Sequence, residues 1–256
     1  MSAPAADFVA TSVFMLLGTA VSCNARLARH AGAAVPASAV AAGWGAAFAC
    51  GLFAAGRAGA HMNPAVTLGL WACDRMSGTD AARHVAAQCA GTALGMGVAL
   101  VAFVPQWTRS APEDRAEVLM VRPAVRAPLS NLLASVVATG AFVFVMLRIL
   151  AGEPLGPGGD SGADAGMPLA TQPPYVLGHL AESAVIAGIV LFACVVGAGA
   201  VGAPLNPARA VVGRVVHAVV PAGDRQPGTW ADAWIAVAGP ALGALLAAWA
   251  WRACVA

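Results

Sequence analysis

The chain has 256 residues, of which 59% are hydrophobic and only 10% are charged, and its formal net charge is +2. Soluble globular domains carry about 25% charged residues, so this composition excludes an ordinary soluble domain and predicts an integral membrane protein. The small net charge provides no basic surface for nucleic acid, and no partner of that kind is expected.

Six apolar stretches each have the length of about 20 residues that a helix needs to cross a bilayer core of roughly 30 Å. Two shorter apolar runs, about 64–74 and 207–217, each begin just after an asparagine and are too short to cross. We therefore expect an all-α integral membrane fold with six transmembrane helices and two re-entrant half-helices. The expected spans are 8–28, 36–56, 85–105, 129–150, 176–198 and 232–251.

Both short runs open with the same asparagine-proline-alanine tripeptide. Asparagine is a strong N-cap and proline suits the first helical position, so each tripeptide predicts the start of a helix. Two helix starts of one design in a membrane protein indicate half-helices whose positive ends face each other across a pore. The two copies are Asn63-Pro64-Ala65 and Asn206-Pro207-Ala208.

A second pair of similar segments indicates an internal duplication. Since each copy contains three spans, an odd number, the second copy is expected to insert upside down relative to the first. We expect a single membrane channel domain over 1–256, with inverted repeats at 1–105 and 129–256 and a polar connecting loop at 106–128. The similar segments are Ala90-Gly91-Thr92-Ala93-Leu94-Gly95 and Ala238-Gly239-Pro240-Ala241-Leu242-Gly243.

The two facing helix ends predict a site for uncharged molecules. Their positive potential repels cations and protons, while the amides of Asn63 and Asn206 can donate hydrogen bonds to a passing solute. Arg209 lies one turn into the second half-helix, and an arginine inside an apolar run marks a functional position. The hypothesis is a passive channel for small uncharged solutes, with no enzymatic chemistry, cofactor or metal.

The segments 58–67 and 204–209 resemble the two signature loops of the major intrinsic protein family, the aquaporins and glycerol facilitators. Gln88 in the third span and Gly239-Pro240 in the sixth are also similar to the family pattern. The resemblance implies an aquaporin-like fold and a homotetramer with one pore per subunit. It further implies a multi-pass protein of the bacterial inner (plasma) membrane, with membrane lipid and small neutral solutes as its partners and with both termini in the cytoplasm.

The resemblance also implies a selectivity filter, whose positions follow by counting from the two asparagines. Water-selective members have an aromatic residue and a histidine at the first two positions, where this chain has Gly43 and Cys194. With Ala203 and Arg209, they form a ring of small residues plus arginine, similar to nodulin-like members. Such a wide ring favours glycerol, urea or neutral metalloid hydroxides such as arsenous or boric acid. A shift of one residue would instead place Trp44 in the constriction, so a water-selective channel stays an alternative.

Family members carry a buried glutamate in the first and fourth spans that braces the signature loops, and the matching residues here are Asp7 and Ser135. His61 is expected to brace the first loop, and Glu182 is a possible substitute for one of the glutamates. A secondary transporter is an alternative that requires a coupling acid, for which Asp7 and Glu182 are the candidates. A non-conducting structural or adhesion protein is another. The remaining histidines are isolated in the sequence and indicate no metal site: His30, His84, His179 and His217.

The arginines conflict with the implied orientation. With both termini in the cytoplasm, more arginines lie outside than inside, against the positive-inside tendency. The family orientation is retained because the signature loops are more specific than this bias. The inner set is Arg57, Arg75, Arg83, Arg148 and Arg252, and the outer set is Arg26, Arg29, Arg109, Arg115, Arg122, Arg126 and Arg225.

Overall fold

The computed structural model describes residues 2–27, 35–56, 60–123, 125–150, 174–198, 204–220 and 230–255, with backbone alone for 174–183, 197, 198 and 255. Within these residues the secondary structure consists of helices and contains no strand. In chain order the helices are α1 (Ala3–Arg26), α2 (Ala37–Ala55), α3 (Pro64–Ala72), α4 (Gly78–Ala102), α5 (Val104–Arg109), α6 (Pro112–Leu119), α7 (Pro128–Leu150), α8 (Pro174–Ala198), α9 (Pro207–Val219) and α10 (Ile235–Val255).

The all-helical membrane architecture is confirmed. Helices α1, α2, α4, α7 and α10 are long and apolar enough to cross a bilayer, and α8 contributes the apolar segment Ala184–Val196. The half-helices α3 and α9 begin at the two prolines, as expected. Helix α4 begins seven residues before the expected span at 85 because the Ser77 side chain caps it, accepting a hydrogen bond from the Asp80 N–H.

Glycines of the duplicated segment bring the outer helices of each repeat into backbone contact. A Cβ on Gly95 of α4 would collide with the Ser12 carbonyl oxygen of α1. The equivalent Gly243 of α10 would place a Cβ 2.6 Å from the Val136 carbonyl oxygen of α7. Lipid gives no hydrophobic drive for helix association, so this close approach supplies packing energy. The duplication is therefore visible as two helix pairs, α1 with α4 and α7 with α10.

An apolar column joins the two repeats behind the half-helices. The Phe48 ring of α2 packs edge-on against Phe14 of α1, with centroids 5.1 Å apart, and against Phe142 of α7, with centroids 5.4 Å apart. All three side chains are buried. Perpendicular aromatic pairs of this kind stabilise by about 0.5–1.5 kcal/mol each beyond their burial. The column fixes α1, α2 and α7 relative to one another.

The connecting segment is more ordered than the expected polar loop at 106–128. It contains α5 and α6, and α6 packs back onto α1 and α9. Leu119 at the end of α6 is fully buried, and its carbonyl oxygen lies so close to Gly213 of α9 that a Cβ there would collide with it. Because α6 is short and polar, tertiary packing rather than periodicity decides its structure.

Candidate pore and selectivity site

The tips of α3 and α9 meet inside the helix bundle. Asn63 caps α3 by accepting a hydrogen bond at Oδ1 from the Ala65 N–H over 2.9 Å. Asn206 caps α9 in the same way, accepting from the Arg209 N–H over 3.2 Å. Both asparagines are almost fully buried, at 2% and 7% exposure. The tripeptides thus act as helix starts, and two positive helix ends lie together in the interior.

The two asparagines also connect the repeats reciprocally. Asn63 Nδ2 donates to the Leu205 carbonyl oxygen over 2.9 Å, and Asn206 Nδ2 donates to the Met62 carbonyl oxygen over 2.8 Å. Each amide therefore bonds the residue that precedes the other asparagine. A side-chain amide has two N–H donors. One donor on each asparagine links the two loops, and the second has no acceptor among the described residues.

Met62 takes an unusual backbone conformation at this junction. Its φ of 53° lies in the left-handed region, which costs a non-glycine residue roughly 1–2 kcal/mol. Hydrogen bonds hold it on both sides: its N–H donates to Asp7 Oδ1 over 2.8 Å, and its carbonyl accepts from Asn206. Its side chain is fully buried. The strain orients the Met62 carbonyl toward the second repeat.

Asp7 lies at the centre of a buried polar cluster behind the first loop. The carboxylate has no exposed surface, and Oδ2 accepts from Gln88 Nε2 over 2.7 Å and contacts His84 Nδ1 at 2.8 Å. His61 Nδ1 lies 3.0 Å from the hydroxyl of Thr67 in α3. The structure thus places Asp7 and His61 at the predicted loop. It also brings in Gln88, which the sequence already marked as similar to the family pattern, and His84, which is isolated in the sequence; both reach Asp7 from α4.

Ser135 lies at the corresponding place behind the second loop. Its hydroxyl donates to the Pro204 carbonyl oxygen over 3.2 Å, two residues before Asn206. The side chain of Glu182 lies outside the described residues. Its predicted substitution for a bracing glutamate therefore stays a prediction.

A cavity of about 640 Å³ opens on one side of the paired half-helix tips. Its wall includes Asn206 and Arg209 from the second loop and Trp44 from α2. The Arg209 guanidinium carbon lies 4.1 Å from the centroid of the Trp44 ring, a cation–π contact. No residue of the described chain accepts a hydrogen bond from Arg209 Nε. The Trp44 ring and the Arg209 side chain thus lie side by side in the cavity wall.

Trp44 is held firmly in this position. Its Nε1–H donates to the Ser22 hydroxyl over 3.1 Å, and its ring packs perpendicular to Phe14 at a centroid distance of 5.5 Å. Gly43 faces the other way, because a Cβ on it would lie 2.7 Å from Val21 of α1. The structure therefore places Trp44, and not Gly43, beside Arg209.

The other two expected filter residues lie apart from this contact or outside the description. Cys194 of α8 is half-buried against the apolar core, whereas its neighbours Leu191 and Val195 line the cavity. Ala203 lies outside the described residues. Counting from the asparagines therefore placed Arg209 at the cavity but not Gly43 or Cys194.

Comparison with known proteins identifies the class. The family model described as "Major intrinsic protein" matches residues 1–152 and 167–251. A probable glycerol uptake facilitator protein of Thermotoga maritima is 29% identical over 250 residues, covering 97% of both chains. A glycerol uptake facilitator protein of Streptococcus pneumoniae is 29% identical over 245 residues, covering 94% of both. The aquaglyceroporin structure from Plasmodium falciparum shares the fold, with a TM-score of 0.78 and 17% identity over 98% of this chain and 94% of that one.

The chain belongs to the major intrinsic protein family, a family of membrane channels. The family match covers both repeats, and the fold match covers nearly the whole chain. The recognition made from the two signature loops is confirmed.

Proposed function

We propose that this protein is a passive channel for small uncharged solutes and that its solutes are of glycerol type rather than water alone. The reciprocal bonding of Asn63 and Asn206 carries the proposal, because it fixes two positive helix ends at one point in the interior. The second N–H of each amide is the donor for a solute oxygen. No covalent step or cofactor is involved.

Charge exclusion follows from the same geometry. The N-termini of α3 and α9 and the Arg209 guanidinium all place positive potential along one path. A cation or hydronium that gives up water beside these groups meets positive charge. The carboxylates of the cavity wall, Glu113 and Glu117, belong to α6, and Glu117 is paired with Arg26. A neutral hydroxyl or amide exchanges its water hydrogen bonds for those of the asparagines and of Arg209.

The preference for glycerol-sized solutes rests on the Trp44 and Arg209 pair. Trp44 takes the first filter position in place of the predicted Gly43. One edge of a polyol can pack its C–H groups on the indole ring while its hydroxyls accept hydrogen bonds from the guanidinium. Arsenous and boric acids have no C–H edge for the ring, so glycerol is placed ahead of them and of urea. Cys194 and Ala203 stay predictions for the remaining filter positions.

The membrane setting is proposed to include a homotetramer in the bacterial plasma membrane. Leu129, Leu133 and Val137 form one exposed apolar face along α7, and their exposures of 81%, 63% and 63% suit lipid or another subunit. Crosslinking of the membrane-embedded protein tests the assembly. A ladder that ends at four subunits supports it, and a product that ends at one subunit contradicts it.

The test is stopped-flow light scattering on reconstituted liposomes under gradients of glycerol, urea, arsenous acid and water. We expect protein-dependent glycerol flux without ionic current. Trp44→Ala should raise water flux relative to glycerol flux, because the ring that receives the polyol is gone. Gly43→Ala is the comparison variant: its Cβ overpacks against Val21 and should lower stability, but it adds nothing to the cavity wall, so the flux ratio of the folded protein should stay unchanged.

Two outcomes would overturn the proposal. A sustained ionic current through the purified protein would contradict the electrostatic barrier. If the ratio of glycerol flux to water flux changes in Gly43→Ala but not in Trp44→Ala, the filter residue is Gly43 and not Trp44. Gly43→Phe combined with Cys194→His extends this test, because fluxes unaltered by that double change contradict the counted filter positions.

A further inference from the structure

We propose that Asp7, His61 and His84 form a binding site for a divalent transition-metal ion of the zinc class, which ties the first signature loop to α1 and α4. One potential ligand atom from each residue lies within 4.8 Å of the other two. The three residues come from three separate chain segments. The proposal goes beyond solute conduction and does not require that the channel be open.

The donor set suits such an ion. Two imidazole nitrogens and one carboxylate oxygen are ligands that zinc accepts in proteins. Asp7 Oδ2 lies 2.8 Å from His84 Nδ1 and 3.8 Å from His61 Nδ1. Tetrahedral zinc with bonds of about 2.0–2.1 Å spaces its ligands about 3.4 Å apart, which falls between these two distances. To reach this spacing, the His84 nitrogen must move away from Asp7 Oδ2 and the His61 nitrogen must move toward it, and rotation of the two imidazoles provides such a movement.

The surroundings of the carboxylate favour a cation. Asp7 is fully buried, and the donors that reach it from Met62, Gln88 and Thr11 are all formally neutral. Among the described residues, the only groups near the carboxylate that can carry positive charge are the His84 and His61 imidazoles, 2.8 and 3.8 Å away, and a metal ion bound between the three residues would take over this charge compensation. The two imidazole rings already stack, with centroids 4.4 Å apart and planes 26° from parallel.

His61 is the most exposed of the three residues. The His61 side chain keeps 13% of its surface exposed, whereas His84 and Asp7 keep 6% and 0%. An ion therefore meets His61 first. The Thr67 hydroxyl, 3.0 Å from His61 Nδ1, is already bonded by Gln88, so the fourth ligand would be a water molecule.

The consequence for the pore passes through Met62. Asp7 Oδ1 accepts a hydrogen bond from the Met62 N–H, and the Met62 carbonyl oxygen accepts one from Asn206 Nδ2. A metal that fixes Asp7 and His61 therefore stiffens the strained residue on which the contact between the repeats depends. Because the metal binds the folded chain and links three segments, its binding raises thermal stability by mass action.

The experiment titrates the purified full chain in detergent with Zn²⁺ and measures bound zinc by elemental analysis and Tm by thermal unfolding. We expect one zinc per subunit, a Tm that rises with free Zn²⁺, and reversal by EDTA. His84→Gln keeps an N–H donor beside Asp7 but removes the ligand nitrogen, and it should weaken zinc binding by at least about tenfold. The matched control is His217→Gln, another buried histidine, on α9, which should bind zinc like the unmodified chain.

X-ray absorption at the zinc edge tests the site without any variant. Two imidazoles and oxygen ligands at about 2.0–2.1 Å support the proposal. Sulfur ligands at about 2.3 Å would assign the zinc to cysteines and overturn it. It is also overturned if zinc does not bind saturably, or if His84→Gln binds as tightly as His217→Gln.

Discussion

The two halves of the pore share a tripeptide but are braced differently. Behind Asn63 lies a carboxylate, Asp7, with imidazole and amide partners, and the preceding Met62 is in the left-handed region. Behind Asn206, the described residues place the Ser135 hydroxyl, which donates to the Pro204 carbonyl, and the preceding Leu205 does not have a positive φ. The duplicated helix start is thus kept while the chemistry that supports it has diverged.

The charges are divided in the same way. The first half-helix is backed by a buried anion, and the second carries the cation Arg209, which stacks on Trp44. Ion exclusion needs the positive groups along the path, whereas positioning the first loop needs the negative one away from it. The buried anion, Asp7, thus positions the first loop, whereas the cation, Arg209, contributes to ion exclusion.

The largest expected effect on stability comes from removing the two supporting side chains in turn, in Asp7→Ala and Ser135→Ala. Asp7→Ala leaves two or three buried donors without an acceptor, at about 1–3 kcal/mol each, so we expect a loss of roughly 3–5 kcal/mol in the free energy of unfolding. Ser135→Ala removes one donor and should cost only about 1 kcal/mol. Reversible unfolding in detergent measures both. Equal losses would mean that the two loops are braced alike.

The equivalent glycines Gly95 and Gly243 test whether the two repeats share the same close helix packing. Gly95→Ala and Gly243→Ala each force a Cβ onto backbone of the neighbouring helix, so we expect similar losses of about 2–3 kcal/mol from overpacking. Gly97→Ala is the control on α4, because a Cβ there meets nothing within 4 Å. Thermal unfolding of the three variants should show that Gly97→Ala gains up to about 1 kcal/mol from helix propensity. A loss at only one of Gly95 and Gly243 would contradict the symmetry of the two pairs.

The asparagines test the reciprocity of the junction. Asn63→Ala and Asn206→Ala each lose a helix cap of about 1 kcal/mol and a bond between loops of about 1 kcal/mol. We expect equal destabilisation of about 2 kcal/mol together with reduced glycerol flux. Asn24→Ala is the control, since its exposed amide donates to the carbonyl of Ala20 on its own helix. A large difference between Asn63 and Asn206 would show that only one of the two bonds stabilises the fold.

The prediction from sequence succeeded where the signal is local. An asparagine followed by proline defines a helix start from its own chemistry, so α3 and α9 could be placed to within about two residues. The spans could be placed because bilayer thickness sets their length. Even the difference between Asp7 and Ser135 was visible as two departures from the family pattern.

The parts that sequence reasoning missed depend on three-dimensional register. Gly43 was chosen by counting back from Asn63, with Trp44 left as the alternative one residue further on, and only the orientation of α2 shows that Trp44 faces the cavity. Asp7 and His84 are 77 residues apart, and only the packing of α1 on α4 brings them together. The left-handed Met62 has no signal in its residue type, because methionine does not favour that conformation.

The smallest effect is expected when an aspartate at the surface, Asp74, is changed to asparagine. Arg252 at the end of α10 pairs with Asp74, and their side chains are 51% and 85% exposed. Asp74→Asn should cost less than about 1 kcal/mol, and even this loss should vanish in high salt, because solvent already screens the pair. Asparagine also tolerates the φ of 56° at this position.

Asp7→Asn makes the same change at a buried carboxylate, where no water can replace the lost charge. The loss in the free energy of unfolding should therefore be several times larger and independent of salt. Unfolding measured at two salt concentrations separates the two cases. A salt-dependent loss at Asp7 would mean that its carboxylate is solvated, and the contrast between the braced loop and the surface would then fail.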